Sequence, residues 1–450
     1  VSEIIQKIME LISQAKFDQA KQIAEKLPNS LEKENVFGMI AYYEGNLDEA
    51  IKHFKKAFEF NPINSDVLYN YGKALLDKKD YKESWRYLMR IHNKDWTVYD
   101  LLGDTQLAQG NIPMALYYYR KAAEISPLEE MKKKYLEHKK EYHKDTNIVI
   151  LCLPGLDNFI HDIANVLSEV YNVKLVISTD GNEIVQAYEW ADIVWLEWAN
   201  ELAVEVTNKL EKKGKKIVCR LHGYESLRKD FLENIDWKKV DLIIFVARNV
   251  LETTLENCPK VRSKNMCLIP NGLDLTRYVY RIRKPGKKIA FAGHFNYKKN
   301  PGLSIQILKK LTEIDKGYTL EWAGTIQDER MYRYVMYVLD RMNIKENFKF
   351  RGWINNVDGF LEDKGIFLSS SIHEGYGVAI LEAMAKGIKP VIHNFYIAEE
   401  YYPKDFIFNT VDEAVEMILT EEYDSEIYRR FVEENASLEG QILSIITGAL

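Results

Sequence analysis

Long hydrophobic runs are missing from these 450 residues, and no apolar stretch is long enough to cross a bilayer. The first residues also lack the apolar h-region of a secretory signal. The expected compartment is therefore the cytoplasm, with no integral membrane segment. The first residue is Val1 rather than methionine, which reads as a processed or shortened chain. Cysteine is scarce. The four cysteines, Cys152, Cys219, Cys258 and Cys267, form no C-x-x-C pair, and Cys152 and Cys219 sit in apolar, strand-like runs. They read as reduced, buried thiols rather than disulfides or metal ligands. Positive charge is not in excess: the formal net charge is −6. A generic nucleic-acid or anionic-membrane binder is not expected.

What is present is ordinary globular material, 46% apolar and 28% charged, enough for two or three domains. The first third repeats itself. NVFGMIAYYEGNLDEAIKHFKKAFEFNP places Gly38, Gly45, Ala50, Phe54, Ala57 and Pro62. YDLLGDTQLAQGNIPMALYYYRKAAEISP places Gly103, Gly110, Ala115, Tyr119, Ala122 and Pro127 at matching positions. A shortened copy lies between them, with Gly72, Ser84 and Leu88, and a degenerate one precedes them around Ala20. Small residues let paired helices approach, aromatics fill the gaps, and proline ends each second helix. The pattern resembles tetratricopeptide repeats over residues 1–128, a helical solenoid that offers a concave binding surface. Tyr117–Tyr119 read equally as groove-lining or packing residues. The charged segment 129–146 reads as a capping and linking helix.

From Asn147 the pattern changes to short apolar runs alternating with helical segments: NIVILC, VKLVIS, DIVWLEW, KKIVCRL, DLIIFVA, and after RIRKPGKK (281–288), KIAFAG, YTLEWAG, FKFRGW, GIFLSS and KPVIH. That alternation predicts two doubly wound, Rossmann-like parallel sheets, over 147–283 and 284–450, the second with C-terminal helices. RIRKPGKK reads as the linker about which the two halves close. The fold class is thus α plus α/β, with ligands expected in the cleft at the carboxyl ends of the strands.

One strand–loop–helix unit carries chemistry: SSIHEGYGVAILEAMAKG, residues 370–387. Gly375 and Gly377 let backbone approach a ligand closely. The free N–H groups at about Gly377–Ala379 suit a phosphate. Glu374 at the entrance would repel phosphate, so it should face hydroxyls. Glu382, in an apolar helix, can accept hydrogen bonds from a vicinal diol. Together these features describe a nucleotide-sugar site.

Glu374-Gly-Tyr-Gly-x4-Glu382-Ala-Met-Ala-x-Gly387 resembles the glutamate-x7-glutamate signature of retaining glycosyltransferase family 4, which has the GT-B fold. The likeness extends over about residues 147–430 and includes FAGHFNYKKNPGL, NFKFRGWI, LHG around His222, and IPNGLD. The resemblance implies roles. Glu374 would hold the donor sugar near its anomeric centre. Backbone N–H groups of Tyr376, Gly377 and Val378 would meet the diphosphate, and Glu382 the ribose diol. Lys299, in the phosphate segment that begins at Gly293, would neutralise the leaving diphosphate. His222 would face the donor sugar across the cleft, and Trp353 and Ile354 would line the base pocket. Residues 147–283 would be the acceptor side.

The chain departs from the family at three places. His294 stands where an arginine is usual, so Lys299 carries more of the charge or Arg351 assists. The acceptor-side loop LPGLDNF has Gly155 alone where paired glycines are usual. HNFYIAEEYYP has no glycine, so Glu399 or Glu400 must stand in for the usual glutamate. No D-x-D pair occurs, so no metal or other cofactor is expected. The resulting expectation is a retaining hexosyl- or N-acetylhexosaminyl-transferase using a nucleoside-diphosphate sugar, such as a UDP-sugar, with a polypeptide acceptor recruited by the repeats. The alternatives are a surface-polysaccharide or lipid-linked acceptor, a nucleotide-sugar epimerase, and a repeat scaffold with a degenerate sugar-nucleotide module.

Overall fold

A computed structural model describes residues 2–450, which form two compact units, one ending at His143 and one beginning at Lys144. The first unit is helical: α1 (Ser2–Ser13), α2 (Phe17–Ala24), α3 (Leu31–Tyr43), α4 (Leu47–Phe60), α5 (Ser65–Asp77), α6 (Tyr81–Met89), α7 (Trp96–Ala108), α8 (Ile112–Ile125) and α9 (Glu129–Tyr142). Helices pack in consecutive pairs, and α6, with 9 residues against 14 in α4 and α8, is where the middle repeat is shortened. Side chains of Ser30, Asn46, Asn64, Asp80 and Asp95 cap helix N-termini, so local sequence sets each start. Between paired helices the chain passes through a left-handed residue, Gly45 in one repeat and Gly110 in another, where glycine carries no Cβ penalty.

The repeat glycines inside the helices do a different job. A Cβ on Gly38 would lie 2.5 Å from the Phe54 ring, on Gly72 2.7 Å from Leu88, and on Gly103 2.3 Å from Tyr119. Each pair is the contact that seats the second helix on the first. Tyr117, Tyr118 and Tyr119 are all buried, which identifies them as packing residues rather than groove lining. The end of the stack is held by α9, whose Lys134 reaches Asp100 at 2.7 Å and Asp104 at 2.9 Å and lies over the Tyr119 ring.

The second unit holds two parallel sheets. The first comprises β1 (Asn147–Cys152), β2 (Asn172–Ile177), β3 (Ile193–Glu197), β4 (Lys216–Leu221), β5 (Leu242–Phe245) and β6 (Asn265–Leu268), ordered 2-1-3-4-5-6. The second comprises β7 (Lys288–Ala292), β8 (Thr319–Ala323), β9 (Phe348–Gly352), β10 (Ile366–Ser369), β11 (Lys389–His393) and β12 (Ile407–Phe408), ordered 12-11-10-7-8-9. Strand order reverses between β1 and β3 in one and between β7 and β10 in the other. Loops at these reversals diverge and open a crevice. Central strands such as β3 and β10 are buried along their whole length, which is why they read as unbroken apolar runs. The four cysteines are free thiols, three of them buried.

The chain crosses between the two sheets twice, side by side. Leu273 donates to the Ala436 carbonyl at 2.8 Å, and Leu438 donates back to Leu273 at 2.9 Å. A Cβ on Gly272 would meet the Ser437 carbonyl at 2.6 Å, so the crossing admits only glycine there. The helix Leu438–Gly448 then packs against His161–Leu167 of the first half. The segment 281–288 is not the free linker expected from its composition. Arg283 donates to the carbonyls of Lys386 (3.0 Å) and Glu362 (2.8 Å), and its own N–H donates to Ser425 (2.9 Å). It is strapped to the second half.

Gly103→Ala should destabilise the repeat unit by about 1–3 kcal/mol, because the Tyr119 ring is buried and hydrogen-bonded to Asp104 at 2.7 Å and has nowhere to go. Urea denaturation of the full chain followed by far-UV circular dichroism should show the first transition at lower urea. An unchanged transition would contradict the packing account.

Candidate functional site

The loop after β10 meets the segment after β7, and three contacts zip them together. Ser370 Oγ donates to the Lys299 carbonyl at 2.7 Å. Ile372 N–H donates to the Lys298 carbonyl at 2.9 Å. Lys299 Nζ then pairs with Glu374 Oε1. Ser371 Oγ donates to the same oxygen at 2.6 Å. A Cβ on Gly293 would lie 3.0 Å from Lys299 Cε, so glycine leaves the path that the lysine stem takes. Glu374 is only 8% exposed. Burial works against its charge, but Lys299 and Lys298, with the Ser371 hydroxyl, outweigh burial and hold the carboxyl below its ordinary range.

Beyond Glu374 the chain turns through Gly375 and Tyr376 to Gly377, which has φ +69° and opens the helix Val378–Ala385. Gly377 has no side chain with which to cap the first turn, where the Ile380 N–H donates to the Gly377 carbonyl at 2.8 Å; the N–H groups before it suit an anion. Tyr376 is buried, and its carbonyl accepts from Tyr402 Oη at 2.6 Å.

Around this turn the charges sort themselves. Burial lowers the Lys298 pKa, Glu374 opposes that, and Lys299 adds to it. Burial, then Lys299 and Lys298, lower the His294 pKa, so its ring is uncharged at neutral pH. His294 Nδ1 lies 2.6 Å from Thr325 Oγ1, and the ring stacks on Trp353 at 6.0 Å between centroids. Trp353 is 62% exposed and Ile354 half-buried, forming a rim rather than a closed pocket. Arg351 does not assist His294 as expected. Its guanidinium pairs with Glu321 through Nε and Nη2, both at 2.8 Å, because that buried carboxylate demands a partner. Glu400 pairs with Arg248, and Glu399 accepts from Asn394.

Glu382 lies one turn into the helix and accepts from Tyr278 Oη at 2.7 Å. Burial raises its pKa, and the Tyr278 hydroxyl pulls it partly back. Glu382 and Val378 line a cavity of about 210 Å³ with Asn158, Phe159, Asn271 and Tyr278, so both halves contribute.

On the facing half, His222 is buried at the end of β4. Its ring is sandwiched between Trp198 (3.8 Å) and Phe159 (5.4 Å), and Nε2 lies 2.8 Å from Glu197 Oε1. Arg220 bonds both Glu197 and Asn271. Burial lowers the His222 pKa although Glu197 opposes it, leaving a neutral ring whose Nδ1 is free of that carboxylate. Trp198 holds φ +76°, rare for a bulky residue, and donates Nε1–H to the Leu156 carbonyl at 2.7 Å. That bond fixes the loop carrying Gly155, itself exposed with φ +83°. Nearby, burial raises the Glu225 pKa to about 7 despite N–H donors from His222 and Ala199.

The structure therefore brings together Glu374, Lys299, Gly293, His294, Tyr376, Gly377 and Val378 at one reversal point, with Glu382 one turn further on. His222 and Gly155 stand at the other half's strand ends. Sequence reasoning missed Tyr278, Glu197, Trp198 and Lys298. Lys298 is adjacent to Lys299 in sequence, so only its surroundings distinguish it. The other three carried no spacing signal, since their partners are distant in sequence.

Residues 274–436 match a family model described as glycosyl transferases group 1, and residues 41–95 match one described as a tetratricopeptide repeat. The chain is 26% identical over 211 residues to an Escherichia coli UDP-Gal:alpha-D-GlcNAc-diphosphoundecaprenol alpha-1,3-galactosyltransferase, covering 40% of this chain and 51% of the relative. It is 23% identical over 168 residues to a Campylobacter jejuni N-acetylgalactosamine-N,N'-diacetylbacillosaminyl-diphospho-undecaprenol 4-alpha-N-acetylgalactosaminyltransferase, covering 36% and 44%. The chain thus spans about half the length of these curated relatives. Among solved structures, HepE of Anabaena in complex with UDP and glucose superposes with a TM-score of 0.56 at 13% identity, over 68% of this chain and all of that one. That likeness is one of fold, and it matches the two-sheet architecture described above.

Because Tyr278 lowers the Glu382 pKa, Tyr278→Phe should raise it further, so Glu382 protonates at higher pH than in the wild type. A pH titration by carboxyl carbon-13 NMR should show the midpoint moving up. A downward or absent shift would remove Tyr278 from the site.

Proposed function

We propose, from the premise that residues 274–436 form a glycosyl transferase group 1 domain behind tetratricopeptide repeats, that the protein transfers a sugar from a nucleoside-diphosphate sugar to an acceptor with retention of anomeric configuration. The observation that carries this reading is the buried Glu374–Lys299 pair beside an uncapped helix N-terminus, with Glu382 one turn further on. A nucleoside diphosphate supplies what this array wants: phosphate for Lys299, Lys298 and the N–H groups, and a ribose diol for Glu382. UDP is the first candidate, since HepE was solved with it.

The pairing of Lys299 with Glu374 sets the order of events. When the diphosphate draws Lys299 to itself, the Glu374 carboxylate loses its main counter-charge and turns to the sugar hydroxyls. Departure of the diphosphate develops negative charge on its outer phosphate, which the two lysines and the helix N-terminus stabilise without a metal. The leaving phosphate then accepts the proton of the acceptor as it attacks from the same face. Closure about the crossing near 271–278 expels water and limits hydrolysis.

The acceptor is a polypeptide held by the repeats, and the reaction is cytoplasmic. A second reading, a lipid-linked acceptor, draws on the undecaprenyl-diphosphate acceptors named for the curated relatives. Removing residues 1–143 separates the two. A polypeptide transferase then keeps donor turnover with water and loses macromolecular transfer, whereas a lipid-linked sugar is still glycosylated.

The test is incubation with UDP- and GDP-sugars, following nucleotide release. Glu382→Ala should weaken nucleotide binding about tenfold or more, through loss of charge-assisted hydrogen bonds. Glu374→Gln should chiefly lower kcat, by about 10²-fold. No release and no nucleotide binding by the wild type would sink the enzymatic reading. Wild-type kinetics in both variants would sink the site assignment.

A further inference from the structure

The turn that carries Glu374 is soft by composition. Gly375 and Gly377 flank Tyr376, and a Cβ on Gly375 would meet nothing within 4 Å among the described residues. Side-chain packing therefore does not set the peptide planes of this turn at Gly375. Two hydrogen bonds do. Tyr402 Oη donates to the Tyr376 carbonyl at 2.6 Å, and Tyr402 belongs to the same half as the turn. Asn249 Nδ2 donates to the Glu374 carbonyl at 2.5 Å, and Asn249 belongs to the opposite half.

Asn249 is itself fixed by a residue from across the cleft. It lies in the first turn of the helix Arg248–Asn257, whose N-cap is Ala247 and has no side-chain acceptor to offer. The acceptor comes instead from Tyr401, on the loop after β11. Tyr401 Oη receives the Asn249 N–H at 3.1 Å and lies 3.3 Å from Asn249 Oδ1, to which it donates. The Tyr401 ring packs against the core of the first half and edge-on to Tyr376 at 5.4 Å. Asn249 is 1% exposed, so its amide is dry when these bonds are made. The neighbouring Arg248–Glu400 pair at 3.0 Å is exposed and adds little.

We propose that Asn249, together with Tyr401, is a positioning residue that fixes the Glu374–Gly375 peptide only when the two halves close. This rests on the transferase reading above for its kinetic consequence. The physical content is a difference between the two grips. Tyr402 holds its carbonyl whether the cleft is open or shut, because donor and acceptor ride on one body. Asn249 can hold the Glu374 carbonyl only in the closed form. In a planar trans peptide the Gly375 N–H points opposite to the carbonyl that Asn249 grips, so gripping one end aims the other. Opening leaves a helix N-terminus without its cap and the Glu374 peptide free to rotate about Gly375. Closure and alignment of the Glu374 turn are then one event, and donor can enter an open site whose carboxylate is not yet aligned.

The test compares Asn249→Asp with the wild type, using the full chain. The substitution is isosteric, keeps the acceptor for Tyr401, and sets the acid at a helix N-terminus, which offsets part of the cost of burying its charge; unchanged exchange in the core strands reports retained folding. It removes the donor to Glu374. Hydrogen–deuterium exchange without ligand should show faster uptake over 370–380 and in the first turn of 248–257, with the core strands unchanged. Kinetics should show kcat falling about tenfold or more while the donor KM stays within about twofold, the split expected of lost alignment rather than lost binding. Tyr401→Phe should shift both readouts in the same direction, and Tyr402→Phe should also raise the donor KM. Unchanged exchange, or unchanged kcat, in Asn249→Asp overturns the proposal. If the wild type releases no nucleotide from any donor, the transferase reading fails separately, and the exchange measurement alone still decides whether the grip exists.

Discussion

A buried carboxylate beside a flexible glycine turn needs a counter-charge, and the second half of the molecule is arranged around that need. Glu374 is held by Lys299 and Ser371, and Lys299 is held in turn because its segment is zipped to the loop after β10. Taking a carboxylate out of water costs several kcal/mol unless a partner and hydrogen bonds compensate. The compensation comes from the segment after β7, which lies beside β10 at the sheet's reversal point. Sheet order therefore decides which cation meets which anion. Gly293 leaves room for the lysine stem, and Gly377 lets the helix begin without a side chain over its N–H groups.

The same logic explains the facing half. Glu197, Arg220, His222 and Asn271 form a buried polar network in which every charge has an opposite. It carries an aromatic sandwich of Phe159, His222 and Trp198 to the rim of the cavity that Glu382 lines. The two halves are joined at the paired crossings near Leu273 and Leu438, while 281–288 rides with the second half. Contacts across the cleft, such as Asn249 to Glu374, join the halves as well.

Much of this was readable in the chain before its structure. The repeats were legible because one residue pattern recurs, and each recurring glycine faces a recurring large side chain. The two sheets were legible because strands buried on both faces are continuous apolar runs. Glu374 and Glu382 were legible because a glycine turn and an apolar helix are odd places for acids. Tyr278, Trp198 and Asn249 were not. Each acts on a partner far along the chain, as with Tyr278 and Glu382, 104 positions apart, and such residues leave no local period. Arg351 misled for the complementary reason. A lone arginine near a phosphate segment looks available until its buried partner Glu321 is seen. Composition also hid how the polar, proline-bearing stretch around Arg283 is bound, because its carbonyl partners are distant in sequence.

The central claim is that the Glu374–Lys299 pair and the adjoining helix N-terminus form a nucleoside-diphosphate subsite. Calorimetric titration of the full chain with UDP, GDP and their parent nucleosides tests it most directly. The account predicts that one diphosphate binds at least about tenfold tighter than its nucleoside, and that Lys299→Met abolishes most of that difference. Equal affinity for diphosphate and nucleoside, or a difference that survives Lys299→Met, would contradict it.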